Sequence, residues 1–214
     1  MSDLFAAQLG GTRTELGEQA WVLHGFALSF ADALLDDITH IETMAPFRHL
    51  VTPGGHTMSV AMTNCGSLGW CSDRRGYRYD AEDPASDRPW PPMPNAFLTL
   101  ADDAASAAGF KDYVPDACLI NRYTPGTRLT LHQDHDEDDH LAPIVSVSLG
   151  LPATFLFGGF ARGDKTIRVP LAHGDVVVWG GVDRMRFHGV MPIHDGRHER
   201  LGAQRINLTF RKVK

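Results

Sequence analysis

Long apolar runs are missing from this 214-residue chain. None approaches the roughly 20 residues that a membrane-spanning helix requires, so no membrane partner is expected. Cysteine is scarce: Cys65, Cys71 and Cys118 are odd in number and form no CxxC pair. That supports neither a disulfide framework nor a zinc site, and free thiols are expected. The N-terminal text, MSDLFAAQLGGTRTELG, lacks a basic segment followed by an apolar one, so no signal peptide is read and a cytoplasmic location is expected. Positive charge is in the minority, 20 Lys and Arg against 26 Asp and Glu, for a net charge of −6. This argues against non-specific binding along a long duplex, which depends on many phosphate contacts. It leaves room for a local basic footprint, of which Arg74, Arg75 and Arg78 form one candidate. Repeats, low-complexity tracts and composition breaks are lacking too, so a single domain is read.

What is present is the material for a packed core: 43% hydrophobic residues, with four Trp and eleven Phe. Residues 1–20 show no periodicity and are read as loosely attached. Ser29-Phe-Ala-Asp32 resembles a capping box, and Leu34, Leu35, Ile38 and Ile41 follow at helical spacing, predicting a helix over about 29–43. A second is predicted over about 94–108, opening near Pro94 and stopping at Gly109. Residues 51–92, rich in Gly, Pro, Ser, Thr and aromatics, read as hairpins and loops. With Trp70, Tyr77 and Tyr79 they suit either a lid over a site or a surface hairpin packed on the core. After residue 115 short alternating segments follow one another: ACLINRYT, IVSVSLG, ATFLFGG, TIRVPL, DVVVWGG, FHGVMPI and INLTFRKV. Such strands, separated by Gly, Pro and Asp turns, suggest a sandwich or barrel. The fold class expected is α+β, with a jelly-roll core in the C-terminal half.

His132-Gln133-Asp134 places an imidazole and a carboxylate at alternate positions, on one face of an extended backbone. His188, on a later strand, would complete the two-His, one-carboxylate set that leaves open positions on Fe(II). HxD by itself is a weak signal among eleven histidines, and His173-Gly174-Asp175 is a rival with an easy turn-forming explanation. His135, His140, His194 and His198 lie in polar segments and are expected to face solvent. The first set has better company. On a strand, Arg205, Asn207, Thr209 and Arg211 share one face, and Ile206, Leu208 and Phe210 the other. A guanidinium binds carboxylate with a bidentate fork, so two arginines suit a small dicarboxylate. The same row also fits a solvated amphipathic strand. The readings weighed are an iron- and 2-oxoacid-dependent oxygenase, a hydroxylase of a protein or small molecule on the same site, and a non-catalytic jelly-roll binding module.

The pattern His132, Asp134, His188, Arg205, Arg211 resembles the AlkB family of Fe(II)/2-oxoglutarate dioxygenases. The likeness is broad: PGGHTMSVAMTNCGSLGW, PDACLINRYTPG, LHQDHDE, APIVSVSLGLPATFLFGG, HGDVVVWGG and RINLTFR are all similar to bacterial DNA-repair members, from about residue 45 to 211. The resemblance implies a double-stranded β-helix core at about 115–214 beneath a nucleotide-recognition lid at about 45–92. It implies Fe(II) on His132, Asp134 and His188. For 2-oxoglutarate it implies Arg205, Tyr123 and Asn121 at the distal carboxylate, with Arg211 and Asn207 nearer the keto end. It implies Trp70 stacked on a damaged base opposite His132, Asp136 at the exocyclic amino group, and Met62, Thr52, Tyr77 and Arg128 as further substrate contacts. His135 departs from the Lys that bacterial relatives often carry there. The implied activity is O2-dependent demethylation of N-alkylated bases such as 1-methyladenine and 3-methylcytosine, releasing formaldehyde. The implied partner is alkylated single-stranded DNA, with double-stranded DNA or RNA as other strands, and a monomer is expected.

Overall fold

In a computed structural model, residues 12–214 are described, so the reading of residues 1–11 as loose lies outside them. Residues 13–17 overturn the rest of that reading. They form β1 (Arg13–Gly17), paired antiparallel with β2 (Ala20–Leu23) at the edge of the main sheet. RTELG has no apolar alternation of its own. Its place comes from the hydrogen bonds of β2, whose Ala20 and Val22 are fully buried.

Two helices and a short hairpin region precede the β-rich half. The first, α1 (Ala31–Met44), buries Leu34, Leu35, Ile38 and Ile41, the stripe that its spacing predicts. The capping box does not form. A 3-10 turn at Leu28–Phe30 leads into the helix, and no side chain caps it. Asp32 instead binds Arg200. The second helix, α2 (Asn95–Ala107), starts after Pro94 in extended conformation and buries Phe97, Leu100, Ala101, Ala104 and Ala105. Between them run β3 (Arg48–Val51), β4 (Thr57–Gly66), the hairpin β5 (Gly69–Asp73) with β6 (Gly76–Asp80), and the short pair β7 (Glu82–Asp83) and β8 (Arg88–Pro89).

The remaining strands are β9 (Ala117–Tyr123), β10 (Leu129–His132), β11 (Ile144–Gly150), β12 (Ala153–Phe157), β13 (Ile167–Leu171), β14 (Val176–Trp179), β15 (His188–Val190) and β16 (Arg205–Arg211). Together with β1, β2, β3 and β4 they build two facing sheets, an eight-stranded one in the order β1-β2-β14-β11-β16-β9-β4-β3 and a four-stranded one in the order β10-β15-β12-β13. This is the expected jelly roll. Period-two alternation makes the main sheet two-faced. Ile120, Val145, Val147, Val178, Leu208 and Phe210 pack beneath α1 and α2. The opposite face sends Leu119, Tyr123, Val177 and Trp179 toward Phe155, Phe157 and Val190 of the smaller sheet. On this second face the polar side chains of Asn121, Ser146, Arg205, Asn207, Thr209 and Arg211 line a cavity between the sheets.

Candidate active site

β10 and β15 run antiparallel with His132 directly opposite His188, which is how two distant histidines meet. Asp134 follows just after β10. His132 Nε2 lies 3.6 Å from one Asp134 oxygen and His188 Nε2 lies 3.8 Å from the other. The three ligand atoms fall within 4.8 Å of one another, and this is the one such group among the described residues. The far nitrogen of each ring is spoken for. His132 Nδ1 is 2.9 Å from the Thr130 carbonyl, and His188 Nδ1 is 3.1 Å from the Arg186 carbonyl. A carbonyl only accepts, so Nδ1 carries the hydrogen and Nε2 keeps its lone pair for the shared point.

The surrounding charges suit a metal. Burial opposes the Asp134 charge, yet Arg211, His188, His132 and Arg184 together hold its carboxyl well below the ordinary range. Burial, and then His132, push His188 down to about 3. The neutral imidazole and ionised carboxylate are the forms that ligate. The rival HxD is a turn. Asp175 accepts from the backbone of Gly25 and Ala172, and His173 Nδ1 accepts from Gly150 N–H. His198 departs from expectation: it is half-buried, its ring 4.5 Å from that of His173. His135, His140 and His194 are exposed as expected.

Behind the triad, β16 lies between β11 and β9, so its inward row stands on the cavity floor. The row is buried throughout, which removes the solvated-strand reading. Arg205 sits opposite Tyr123, its guanidinium carbon 5.0 Å from the ring centre, and Nη2 donates to Ser148 Oγ at 3.0 Å. Its Nε and Nη1, the Tyr123 hydroxyl and Asn121 Oδ1 are buried without hydrogen-bond partners among the described residues. Leaving a buried guanidinium half-satisfied is costly. A carboxylate delivered here would satisfy the arginine and the phenol together, so these residues fit one end of 2-oxoglutarate. Asn207 is held by Ser146 Oγ and the Val147 carbonyl, both at 2.9 Å, and receives Asn121 and Thr209 on its own carbonyl oxygen. Arg211 is placed differently from a free dicarboxylate ligand. Its Nε and Nη2 donate to Asp134 Oδ2 at 3.0 and 2.8 Å, and Nε lies 3.3 Å from Glu137.

The cavity above this floor holds about 500 Å³; the triad, the candidate 2-oxoglutarate residues and the candidate substrate residues, Met62, Thr52 and Arg128 included, all line it, whereas His173, Asp175 and the Arg74, Arg75 and Arg78 cluster do not. On its outer side Trp70 and Tyr77 stack with ring centres 5.5 Å apart and planes inclined by 16°. Trp70 Nε1 donates to Asp136 Oδ2 at 3.0 Å, and exposed His135 meets the other Asp136 oxygen at 2.9 Å. The basic footprint on this hairpin is smaller than its sequence suggests. Asp73 binds Arg75 and Arg78, and Asp80 lies near Arg78.

Several contributors escaped the sequence reading. Leu119, Phe155 and Trp179 form apolar walls, and Arg162 and Phe187 stand among the lining residues with the guanidinium 5.1 Å from the ring. Alternation marks Leu119, Phe155 and Trp179 as inward-facing but not as site residues, and Arg162 and Phe187 lie outside the strands, where no period singles them out. Beneath the triad, Glu137 and Arg184 pair at 2.8 Å, both almost fully buried. Glu137 sits in the acidic run DHDEDD, where only its neighbours drew attention, and nothing near Arg184 marks it out.

The comparisons with known proteins agree with this geometry. The sequence model of the 2OG-Fe(II) oxygenase superfamily matches residues 19–211. The chain is 54% identical over 213 residues to the "Alpha-ketoglutarate-dependent dioxygenase AlkB" of Escherichia coli K12, spanning all of this chain and 98% of that one. The chain belongs to the AlkB family of 2OG-Fe(II) oxygenases. The AlkB of Salmonella typhimurium is equally similar, 54% over 213 residues with the same coverage. Among solved structures, OsALKBH1 superposes with a TM-score of 0.79 at 30% identity, covering 94% of this chain and all of that one. This AlkB-family protein is accordingly a dioxygenase that uses Fe(II), 2-oxoglutarate and O2.

Proposed function

We propose that the protein directly reverses alkylation damage by oxidative demethylation of N-alkylated bases, such as 1-methyladenine and 3-methylcytosine, in single-stranded DNA. RNA and duplex DNA are secondary strands on this reading. The observation that carries it is the junction of the metal triad with an aromatic and acidic outer wall, Trp70, Tyr77 and Asp136, around one cavity. The relatives' names point the same way: AlkB in two bacteria, and "Nucleic acid dioxygenase ALKBH1" in human, 31% identical over 123 residues.

Fe(II), held by His132, Asp134 and His188, would supply the oxidising chemistry with 2-oxoglutarate and O2, yielding succinate and CO2. The protein's own residues do the rest. Arg205 and Tyr123 anchor the distal carboxylate, with Asn121 beside them. Arg211 holds Asp134 and stands with Asn207 nearer the keto end. Trp70 offers its face to the base, with His132 as the opposite wall. A base methylated on its pairing edge is cationic, so an aromatic face gains a cation–π contribution of about 0.5–2 kcal/mol over the neutral base. Asp136 adds charge complementarity and accepts from the exocyclic amino group. Met62 packs against the base, while Thr52, Tyr77 and Arg128 meet the flanking backbone. The pairing edge is hidden in a duplex, and methylation that blocks pairing lowers the cost of exposing it. Hydroxylation of the N-methyl carbon gives a hemiaminal, which releases formaldehyde and restores the base. Residues of about 45–92 act as the recognition lid and about 115–214 as the catalytic core, in a cytoplasmic monomer. The buried, unpaired cysteines agree with that compartment.

The test is to incubate the protein with Fe(II), 2-oxoglutarate, ascorbate and a single-stranded oligonucleotide carrying 1-methyladenine, then weigh the oligonucleotide. Loss of the methyl mass with formation of formaldehyde is expected. Retention of the methyl group while succinate accumulates would overturn the repair reading and leave the oxygenase.

A further inference from the structure

Three charged side chains and one phenol converge below the metal triad. Glu137 accepts from Tyr79 Oη on Oε1 at 2.5 Å and from Arg184 Nη2 on Oε2 at 2.8 Å, and Arg211 Nε approaches Oε1 at 3.3 Å. The same Arg211 clamps the Asp134 carboxylate, and Arg184 Nη1 donates to the Asp134 carbonyl at 2.6 Å. Two buried carboxylates and two buried arginines therefore balance one another, and Glu137 is the one that touches no candidate ligand of the metal. Tyr79 reaches it from outside this group. On β6, Tyr79 is the cross-strand partner of Trp70 on β5. The two residues fasten the hairpin to consecutive acidic residues, Trp70 to Asp136 and Tyr79 to Glu137.

We propose that Tyr79 and Glu137 are positioning residues for Asp134, setting how Arg211 is shared between the two carboxylates and so how the metal-binding carboxylate is aimed. The physical reason is competition for one guanidinium. While Tyr79 occupies Oε1 of Glu137, that oxygen is a weaker rival for Arg211, which stays on Asp134. Without the phenol donor, Glu137 draws Arg211 toward itself and loosens its grip on Asp134. Outer-shell partners of this kind orient the ligating group and raise metal affinity. The hairpin that carries Trp70 and Tyr77 thus acts on the metal site through a hydroxyl. The inference rests on His132, Asp134 and His188 being the metal ligands.

The experiment is a Co2+ titration of the apoprotein, read by affinity and by the cobalt absorption spectrum, with thermal melts alongside. Tyr79→Phe removes only the hydroxyl, and its Co2+ dissociation constant is expected to rise about three- to tenfold with an altered spectrum; Glu137→Gln removes the rival charge, leaves Arg211 on Asp134 and is expected to keep the constant within about threefold of wild type. In the double variant, Tyr79→Phe should add nothing to Glu137→Gln, because Tyr79 acts through Glu137. If Tyr79→Phe lowers the melting temperature but binds Co2+ with wild-type affinity and spectrum, the bond is merely structural and the proposal fails. That comparison stands even if Glu137→Gln does not fold. A wild-type protein that binds no Co2+ would instead overturn the assignment of the triad itself.

Discussion

Arg205 is the residue whose surroundings argue most directly for a ligand. It is buried to 1% exposure, yet two of its three nitrogens have no partner among the described residues. Burial pushes its guanidinium below the ordinary value, and neighbouring Tyr123 only partly offsets this. A dicarboxylate would reverse that penalty through a two-point fork. Arg205→Lys keeps the charge and loses the fork, so the KM for 2-oxoglutarate should rise about 10- to 100-fold, the equivalent of one charge-assisted hydrogen bond. An unchanged KM would place the cosubstrate elsewhere. A second residue-level prediction separates the two HxD motifs. His132→Ala should abolish 2-oxoglutarate turnover, whereas His173→Ala should leave it largely intact, because His173 accepts from the Gly150 N–H and does not line the cavity. Equal loss in two folded variants would overturn the choice. At this scale the sequence was readable where chemistry repeats at a fixed spacing, as in His132 and Asp134 or Arg205 and Arg211. It was silent on Glu137 and Arg184, since a buried ion pair between a loop acid and a distant arginine has no spacing to recognise. It also misjudged Arg75 and Arg78, whose neutralisation by Asp73 depends on how tightly the hairpin turns.

Elements were legible to the degree that their own alternation decided their faces. β16 is the clearest case: Ile206, Leu208 and Phe210 fall in the helix-facing core, and Arg205, Asn207, Thr209 and Arg211 line the cavity. Both helices lie within two residues of their expected bounds, because an apolar stripe marks a helix more firmly than a cap does. The capping box at Ser29 failed for that reason, since a 3-10 turn took the place where the cap would have formed. β1 was missed because an edge strand of mostly exposed residues carries no period of its own and borrows its register from β2. The two-faced character of β16 also predicts where the protein is fragile. Leu208 has no exposed surface and lies between the helices and the cavity floor. Leu208→Ala should lower unfolding free energy by about 2–5 kcal/mol, measured by denaturant unfolding. It should also raise the KM for 2-oxoglutarate, because Asn207 and Thr209 on either side lose their backing. A loss under 1 kcal/mol would mean that the helix layer does not hold the floor in place.

For the whole molecule, the cavity has a cost that the metal should offset. His132, Asp134 and His188 form one buried or half-buried group between two sheets, and stability there depends on what each does with protons. His188 titrates at about 3 in the folded protein because of burial, against about 6.5 for a free imidazole in the unfolded chain. The unfolded state therefore binds the extra proton first as pH falls. Stability of the metal-free protein should be intact above about pH 6.5 and decline toward pH 3, at up to about 1.4 kcal/mol per pH unit from this histidine. Denaturant melts of apoprotein at pH 7.5 and pH 5.5 measure this, and His188→Asn should flatten the difference. A metal that binds only the folded state adds stability by mass action, about 2.7 kcal/mol at a hundredfold excess over its dissociation constant. That gain should persist through this window and shrink only near pH 3, where His188 of the folded protein itself takes up a proton and can no longer ligate. Melting temperatures with and without Mn2+ at the two pH values bring both effects together. If Mn2+ stabilised His188→Asn as strongly as the wild type at pH 7.5, His188 could not be among its ligands, and the site that the two sheets enclose would have to be assigned to other chemistry.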